Sequence, residues 1–361
     1  MVCLERIKVN LVTHEVFVKT TNLYFEMGRN DYYQELFIKD LKHFHKTIAI
    51  QNAKSFFKIF FNDHKIKESR YKSLIFPTSR PNNKSEELYR NIYFVFERIH
   101  GEATEPFGLF VAEINDLHKL LFSNVFPNEK LKFRSIGKNR LFGSNQVNSM
   151  REELEKYLHE LDLVKREKVY EPIFLYLNFL VDFINLEVFD LPYNDALGVL
   201  MYYILMIENG MHVFNYLSFF DKLQLYKEDF FEILEKVKVQ AKQGLPDLMP
   251  LMKFFINIFN SMYLDLAEMA RDYQYDLNLE INKTDYIENT VNKLSEVFSK
   301  EDIRKRHPSI SDSTINRTLK RLQEEGLIRA VGKGRHAKWI RIVKKDKKKK
   351  FDGQISFDLG E

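Results

Sequence analysis

Cysteine is almost absent from this chain of 361 residues, which contains Cys3 and no other thiol. One cysteine excludes an internal disulfide and a cysteine-rich metal site, and it fits the reducing cytoplasm. Runs of about 18 apolar residues without charge are also missing, so we predict no transmembrane helix. The segment after Met1 lacks the apolar core of a signal peptide. These absences together predict a cytoplasmic protein that does not enter a membrane.

Residues that interrupt regular structure are scarce as well, since the chain has 13 glycines and 9 prolines. Apolar residues make up 45% of it, enough to bury a large core. Long segments without glycine or proline favour helices, so the predicted fold class is mainly α. The ten histidines are scattered, and we predict neither a metal site nor a bound cofactor.

Charge is distributed unevenly along the chain. The whole sequence has 55 Lys and Arg against 51 Asp and Glu, but residues 299–350 alone hold 18 basic and 6 acidic side chains. An acidic body is thus joined to a basic module, and this asymmetry favours nucleic acid as the partner of the module. The run from Lys344 to Lys350 would raise affinity for phosphates without adding sequence specificity.

The region from 299 to 342 contains the signals of two short helices and a β-hairpin in succession. Ser299 is suited to cap the first helix, and Pro308 ends it. A second helix ends at Gly326, and a turn at Gly332 then separates two short apolar strands. This order is typical of a winged helix-turn-helix, which places its second helix in the major groove of DNA.

The second helix of this region has two faces. Ile315, Leu319 and Leu322 recur at spacings of four and three and form the apolar face. The opposite face combines short polar groups and arginine, which suit base edges, with lysine, which suits phosphates. Double-stranded DNA is therefore the predicted partner, and a homodimer is expected because a single recognition helix reads few base pairs. The candidate DNA-binding residues are Ser313, Asn316, Arg317 and Lys320 on the helix and Lys333, Arg335 and Lys338 on the wing.

The rest of the chain divides by composition. Residues 7–12 and 15–18 alternate in the manner of short strands, so a mixed α/β N-terminal extension is predicted. Most of the chain beyond residue 75 has the apolar spacing of helices, and the polar stretch 274–284 is interpreted as a linker. The predicted boundaries are 1–75 for the extension, 76–280 for a helical domain, 281–345 for the winged helix-turn-helix domain and 346–361 for a basic, polar tail.

One stretch inside the helical domain carries a family resemblance. It runs from Phe183 to Gly198, FINLEVFDLPYNDALG, and an apolar helix that ends at Gly210 comes after it. It resembles the Fic (filamentation-type, Fic/Doc) family motif His-Pro-Phe-x-x-Gly-Asn-Gly-Arg, with Phe189 and Asn194 in register when one residue is inserted. The resemblance implies a helical body with a small β-hairpin flap. It also implies transfer of AMP from ATP to hydroxyl side chains, with the histidine as base, the glycines as a phosphate cradle and the arginine as a clamp.

The catalytic positions of that motif depart from the family. Glu187 stands where the histidine would be, and Ala196 stands where the arginine would be. The cradle glycines fall at Pro192 or Tyr193 and at Asp195. Proline has no amide to donate, and an aspartate would repel a triphosphate. No catalytic residue is therefore predicted, and the domain is expected to be a pseudoenzyme.

Two other segments bear on the resemblance. Where the family has an inhibitory Ser-x-x-x-Glu-Gly motif, this chain has Phe96 for the serine and His100 for the glutamate. With Ala196 in place of the arginine that such a glutamate pairs with, both departures indicate loss of the family's activity. Residues Gly137 to Arg140 match the flap, which in the family holds a target segment by strand addition. Such pairing needs backbone alone, so a protein or peptide partner is still expected there.

The sequence therefore predicts a DNA-binding transcription regulator whose degenerate Fic-like body dimerises, senses a ligand or binds protein. One alternative is a divergent AMP-transferase, or another nucleotide-using enzyme, that its winged domain directs to a target. ATP and Mg²⁺ enter only under that alternative, with Glu187 as a replacement base. A third hypothesis is an interaction protein whose winged domain contacts protein alone.

Overall fold

A computed structural model describes residues 2–9, 12–101, 107–138, 147–278, 283–308, 310–332 and 338–342. The chain forms two compact units, Met1–Asp272 and Tyr273–Glu361. In the described residues of the larger unit helices predominate, and the smaller unit combines helices with a three-stranded sheet. No helix within the described ranges is both long and apolar enough to cross a bilayer.

The first hundred residues of the larger unit hold helices and, in their described part, no strand. In the described residues the strands expected at 7–12 and 15–18 are wrong: Ile7–Val9 is a short 3-10 helix, and His14–Met27 is an α-helix. The reason is visible in the burial, because Val16, Thr20 and Leu23 repeat with helical spacing on the inner side. The elements are α1 (Val2–Glu5), α2 (His14–Met27), α3 (Asn30–Phe37), a 3-10 helix (Ile38–Asp40), α4 (Leu41–Phe60), α5 (Glu68–Leu74) and α6 (Lys84–Ile99).

The remainder of the larger unit is a helical bundle with one small hairpin. Strands β1 and β2 pair in antiparallel fashion, with Lys138 opposite Val147, at the place where the flap is expected. The elements are α7 (Val111–Phe122), a 3-10 helix (Asn128–Lys130), β1 (Ser135–Lys138), β2 (Val147–Ser149), α8 (Met150–Glu167), α9 (Pro172–Leu186), α10 (Asn194–Glu208), a 3-10 helix (His212–Asn215), α11 (Phe219–Leu225), α12 (Lys227–Lys242) and α13 (Met249–Asn278).

Helices α9 and α10 form the centre of this bundle, and nearly all their side chains are buried. The carboxylate of Glu171 caps the start of α9 by accepting from the amides of Ile173 and Phe174 at 2.9 and 2.7 Å. At the other end, Arg134 donates to the carbonyls of Leu186 and Glu187 at 2.8 and 2.7 Å. Both ends of α9 are thus satisfied by charged side chains, as a buried helix requires.

The start of the chain packs into the same core. The carboxylate of Asp182, on α9, accepts from the amides of Cys3 and Leu4 at 3.0 Å each. Burial raises the pKa of this aspartate and that of the Cys3 thiol. An apolar helix can hold a carboxylate in its interior because the two amides replace its water. Residues 1–75 therefore share one compact unit with the residues up to 272.

The smaller unit is built around a three-stranded antiparallel sheet with strand order β3-β5-β4. Its elements are α14 (Lys283–Lys293), β3 (Val297–Ser299), α15 (Lys300–Arg306), α16 (Asp312–Glu324), β4 (Ile328–Val331) and β5 (Lys338–Arg341). Strand β3 was not predicted, because it is three residues long and too short for an alternating pattern. The linker expected at 274–284 is too long, since α13 continues to Asn278 and α14 begins at Lys283.

Apolar side chains from all three helices and all three strands of the smaller unit form one core. Trp339 lies in it and is only 8% exposed, so its ring packs in this core. The other buried members are Ile287, Val291, Phe298, Ile303, Ile310, Ile315, Leu319, Leu322 and Ile328.

Candidate functional site

Helix α16 has the two faces that its sequence predicts. Ser311 caps it, since its hydroxyl accepts from the amide of Thr314 at 3.3 Å. Ile315, Leu319 and Leu322 are buried against the rest of the unit. The four residues predicted to read DNA are all exposed and share the outer face: Ser313, Asn316, Arg317 and Lys320. The helix therefore presents amide, hydroxyl, guanidinium and ammonium donors to solvent together.

The basic residues of α16 divide into two groups. Arg321 pairs with Glu288 of α14 at 2.6 Å and lies near Glu325 at 3.7 Å, so it braces two helices. Lys320 has only a loose ion pair with Glu324 of its own helix, 3.7 Å away and widely exposed. Arg317 is exposed. The groups best placed for an anionic partner are thus those on the outer face.

Helix α15 contributes two polar contacts that the sequence pattern did not reveal. Lys300 donates a hydrogen bond from its ammonium to the side-chain oxygen of Asn316. Arg304, which pairs with Glu301 of its own helix at 2.6 Å, makes the second contact, with Asp312 at the first turn of α16. These contacts fix the start of α16 against α15. They were missed because they join residues 8 to 16 positions apart, beyond helical periodicity.

The structure describes only the base of the predicted wing. Lys338 is exposed and starts β5, where it lies opposite Ser299 of β3 and Val331 of β4. The predicted contacts Lys333 and Arg335 lie outside the described residues.

The Fic-like stretch places Glu187 at the end of α9. This residue adopts a left-handed conformation, with φ of 49° and ψ of 57°. Its side chain is 55% exposed and pairs with Lys242, itself 54% exposed, at 3.4 Å. The structure therefore places this carboxylate at the surface, in an ion pair between the end of α9 and α12.

The loop after Glu187 is closed by one side chain. Asn194 accepts from the amide of Phe189 at 3.2 Å and donates to the carbonyls of Phe189 and Leu191 at 3.3 and 3.1 Å. Its amide is therefore engaged with backbone within the loop. Ala196, near the start of α10, is 2% exposed and packs in the core, so no cationic group stands at that position.

Aromatic side chains occupy the space around this loop. The ring of Phe189 stacks on His118, with centroids 3.8 Å apart and planes 4° from parallel, and on Phe133 at 4.9 Å. Tyr193 stacks on Phe122 at 5.4 Å. Burial lowers the pKa of His118 to about 4, so the imidazole is neutral at physiological pH. The loop is thus packed by rings, where a phosphate cradle would need free backbone amides.

Asp195, which follows Asn194 in the sequence, forms an ion pair. Asp195 pairs with Lys238 of α12 at 3.1 Å, and Lys238 pairs with Glu235 at 2.7 Å. Burial would lower the pKa of this lysine, but the two carboxylates outweigh burial and raise it. The three groups tie α10 to α12.

The position of the family's inhibitory motif is filled by core packing. Phe96 is fully buried. His100 is 3% exposed and its Nε2 lies 2.8 Å from the hydroxyl of Tyr203, which accepts from the amide of Asn52 at 2.9 Å. Burial lowers the pKa of His100 to about 3. This histidine is a neutral member of a buried polar network.

The flap is described at its two strands. Gly137 and Lys138 end β1, whereas Asn139 and Arg140 lie outside the described residues. Among the residues that the structure describes, no group of three or more His, Cys, Asp or Glu side chains is arranged to hold a metal ion.

Comparisons with known proteins bear on the fold. No family model and no curated protein matches the chain. Among solved structures, a Fic family protein from Desulfovibrio desulfuricans G20 is similar, with a TM-score of 0.50 and 13% sequence identity. The likeness covers 93% of this chain and 98% of that one. Identity this low concerns the fold alone, and the chain has a Fic-like helical fold with a small β flap.

Proposed function

We propose that this protein is a DNA-binding regulator whose smaller unit is a winged helix-turn-helix. The element order from α14 to β5 supports this assignment, since two helices joined by a short turn precede a two-stranded wing. In such modules the second helix enters the major groove, and here that helix is α16.

One observation carries the proposal. The four residues chosen from the sequence pattern all lie on the exposed face of α16, while Arg321 of the same helix is held by α14. An exposed face that unites an arginine, a lysine, an asparagine and a serine matches the donors used for base edges and phosphates. Residues 299–350 contain 18 basic and 6 acidic side chains, and this positive balance provides the electrostatic attraction to phosphates.

The helical body is proposed to serve regulation without AMP transfer. The support is chemical. At the position of the family's histidine base lies an exposed Glu187 paired with Lys242, and at the position of the phosphate-clamping arginine lies the buried Ala196. The loop between them is filled by aromatic rings. The same proposal includes a homodimer, since paired half-sites need two recognition helices. It also includes a location in the cytoplasm and peptide binding at the flap near Gly137.

Selection from a pool of random duplexes tests the proposal. The full chain is incubated with the pool at about 150 mM salt, where non-specific phosphate binding is weakened, and bound duplexes are sequenced. A shared motif is expected. The double variant Arg317→Ala/Lys320→Ala should lose it, whereas Lys236→Ala, on the exposed side of α12, should retain it.

The salt dependence of binding provides a second measurement on the selected duplex. Lys320→Ala should reduce the slope of log affinity against log salt by about one, because one phosphate contact is lost. Absence of any enriched motif in the pool would contradict the proposed function.

A further inference from the structure

The contact between Lys300 and Asn316 has a chemical consequence for base recognition. Asn316 lies on the outer face of α16, and Lys300 is the first residue of α15. An ammonium has three donors and no acceptor, so it can approach only the oxygen of the asparagine amide. The bond from Lys300 therefore fixes the amide orientation and leaves the NH₂ group of Asn316 directed away from the lysine.

The pair consequently offers donors to a partner. An asparagine that reads adenine uses its oxygen to accept from the adenine N6 amine and its nitrogen to donate to N7. Here Lys300 already occupies a lone pair of that oxygen and places a positive charge beside it. Guanine presents two acceptors, O6 and N7, at the same edge of the major groove.

The surroundings strengthen this donor character. Lys338 is exposed and lies opposite Ser299 in the sheet, one residue before Lys300. The start of β5 and the start of α15 thus bring two lysines to the same end of the sheet. The acidic group at the start of α16, Asp312, is held by Arg304.

We propose that Lys300 and Asn316 act as one donor pair that selects guanine, making Lys300 a specificity-determining residue outside the recognition helix. This inference rests on the proposed DNA binding and names the base that the site takes. A phosphate contact by Lys300 is the competing assignment, and it predicts a different result.

The test measures affinities for the selected duplex with each base pair substituted in turn. The proteins are the wild-type chain, Asn316→Ala, Lys300→Met and the control Lys305→Met, which removes an exposed lysine from the same helix. Methionine keeps the length of the side chain while removing its charge. Thermal unfolding of each variant verifies that the smaller unit is folded.

We expect one position at which the wild type prefers guanine over adenine by about tenfold or more, the usual size of such discrimination. Both Asn316→Ala and Lys300→Met should abolish that preference at the same position, whereas Lys305→Met should leave it unchanged. Adenine at the position sensitive to Asn316 would overturn the inference. So would an equal loss of affinity for all bases in Lys300→Met, which would assign the lysine to a phosphate. Either of these two outcomes would leave the proposed DNA binding intact. A pool without any enriched motif would overturn both the DNA binding and the guanine selection.

Discussion

The guanidinium of Arg321 pairs with the carboxylate of Glu288 at 2.6 Å and joins α16 to α14. Arg317, one turn earlier on the same helix, is exposed to solvent. Two arginines four positions apart thus have separate tasks, one in the fold of the smaller unit and one on its outer face. This division can be tested because the two substitutions are chemically identical.

Arg317→Ala should lower affinity for the selected duplex by about 1–3 kcal/mol, the range for an arginine that reads a base edge, and leave unfolding unchanged. Arg321→Ala should do the opposite. It should destabilise the smaller unit by about 1 kcal/mol or less, because its ion pair is partly exposed, and retain the base preference. Fluorescence anisotropy and calorimetry give the two quantities. Equal losses of affinity in both variants would contradict the division.

Asn194→Ala should destabilise the larger unit by about 1–3 kcal/mol, because backbone groups of the buried loop lose their partner. The buried amide of Phe189 would lose the side-chain oxygen to which it donates its hydrogen bond. Urea unfolding followed by circular dichroism measures the change. Asp190→Ala, in the same loop but exposed, is the matched control and should have a small effect. A stable Asn194→Ala variant would show that the loop is held by its aromatic rings alone.

Glu187 can be tested both as a helix end and as a base. Its φ of 49° favours glycine, so Glu187→Gly should stabilise the larger unit by a few tenths to about 1 kcal/mol, whereas Glu187→Ala should not.

Transfer of label from ATP to protein should be absent from the wild type and from both variants. Incorporation by the wild type that Glu187→Ala abolishes would support the alternative of a divergent AMP-transferase and contradict a regulatory body.

The buried His118 makes stability depend on pH. Its folded pKa is lowered to about 4, whereas an unfolded histidine titrates near 6.5. Stability is therefore complete above about pH 6.5 and falls as the pH drops, since only the unfolded chain takes up the proton. The loss from this residue should reach about 2 kcal/mol near pH 5.

His118→Phe keeps a ring against Phe189 and removes the titrating group. The variant should therefore lose less stability than the wild type between pH 7 and pH 5 in urea titrations. His100, with a pKa lowered to about 3, contributes a slope of the same sign in both proteins. Identical pH profiles for variant and wild type would show that protonation of His118 is not linked to unfolding.

Periodicity predicted the helices that have one apolar face, and α16 is an example, since Ile315, Leu319 and Leu322 specify its buried side. The same reasoning failed for α2. Phe17 and Val18 are apolar but 62% and 43% exposed, and with the buried Val16 they form a short apolar run that imitated a strand. Surface apolar residues carry no information about which side is inward.

The site was partly accessible from sequence for a similar reason. Which side chains of α16 face outward is set by helical spacing, so Asn316 and Arg317 could be named in advance. Lys300 could not, because its contact with Asn316 depends on how α15 crosses α16. The stack of His118 on Phe189 joins residues 71 positions apart and depends likewise on tertiary packing.

The most direct test of the central claim is recovery of fragmented genomic DNA from the source organism by the purified protein at about 150 mM salt. We expect enrichment of a few loci that share a motif, and loss of that enrichment in the Arg317→Ala/Lys320→Ala variant. Uniform recovery, or recovery of the same loci by the double variant, would contradict sequence-specific binding through α16.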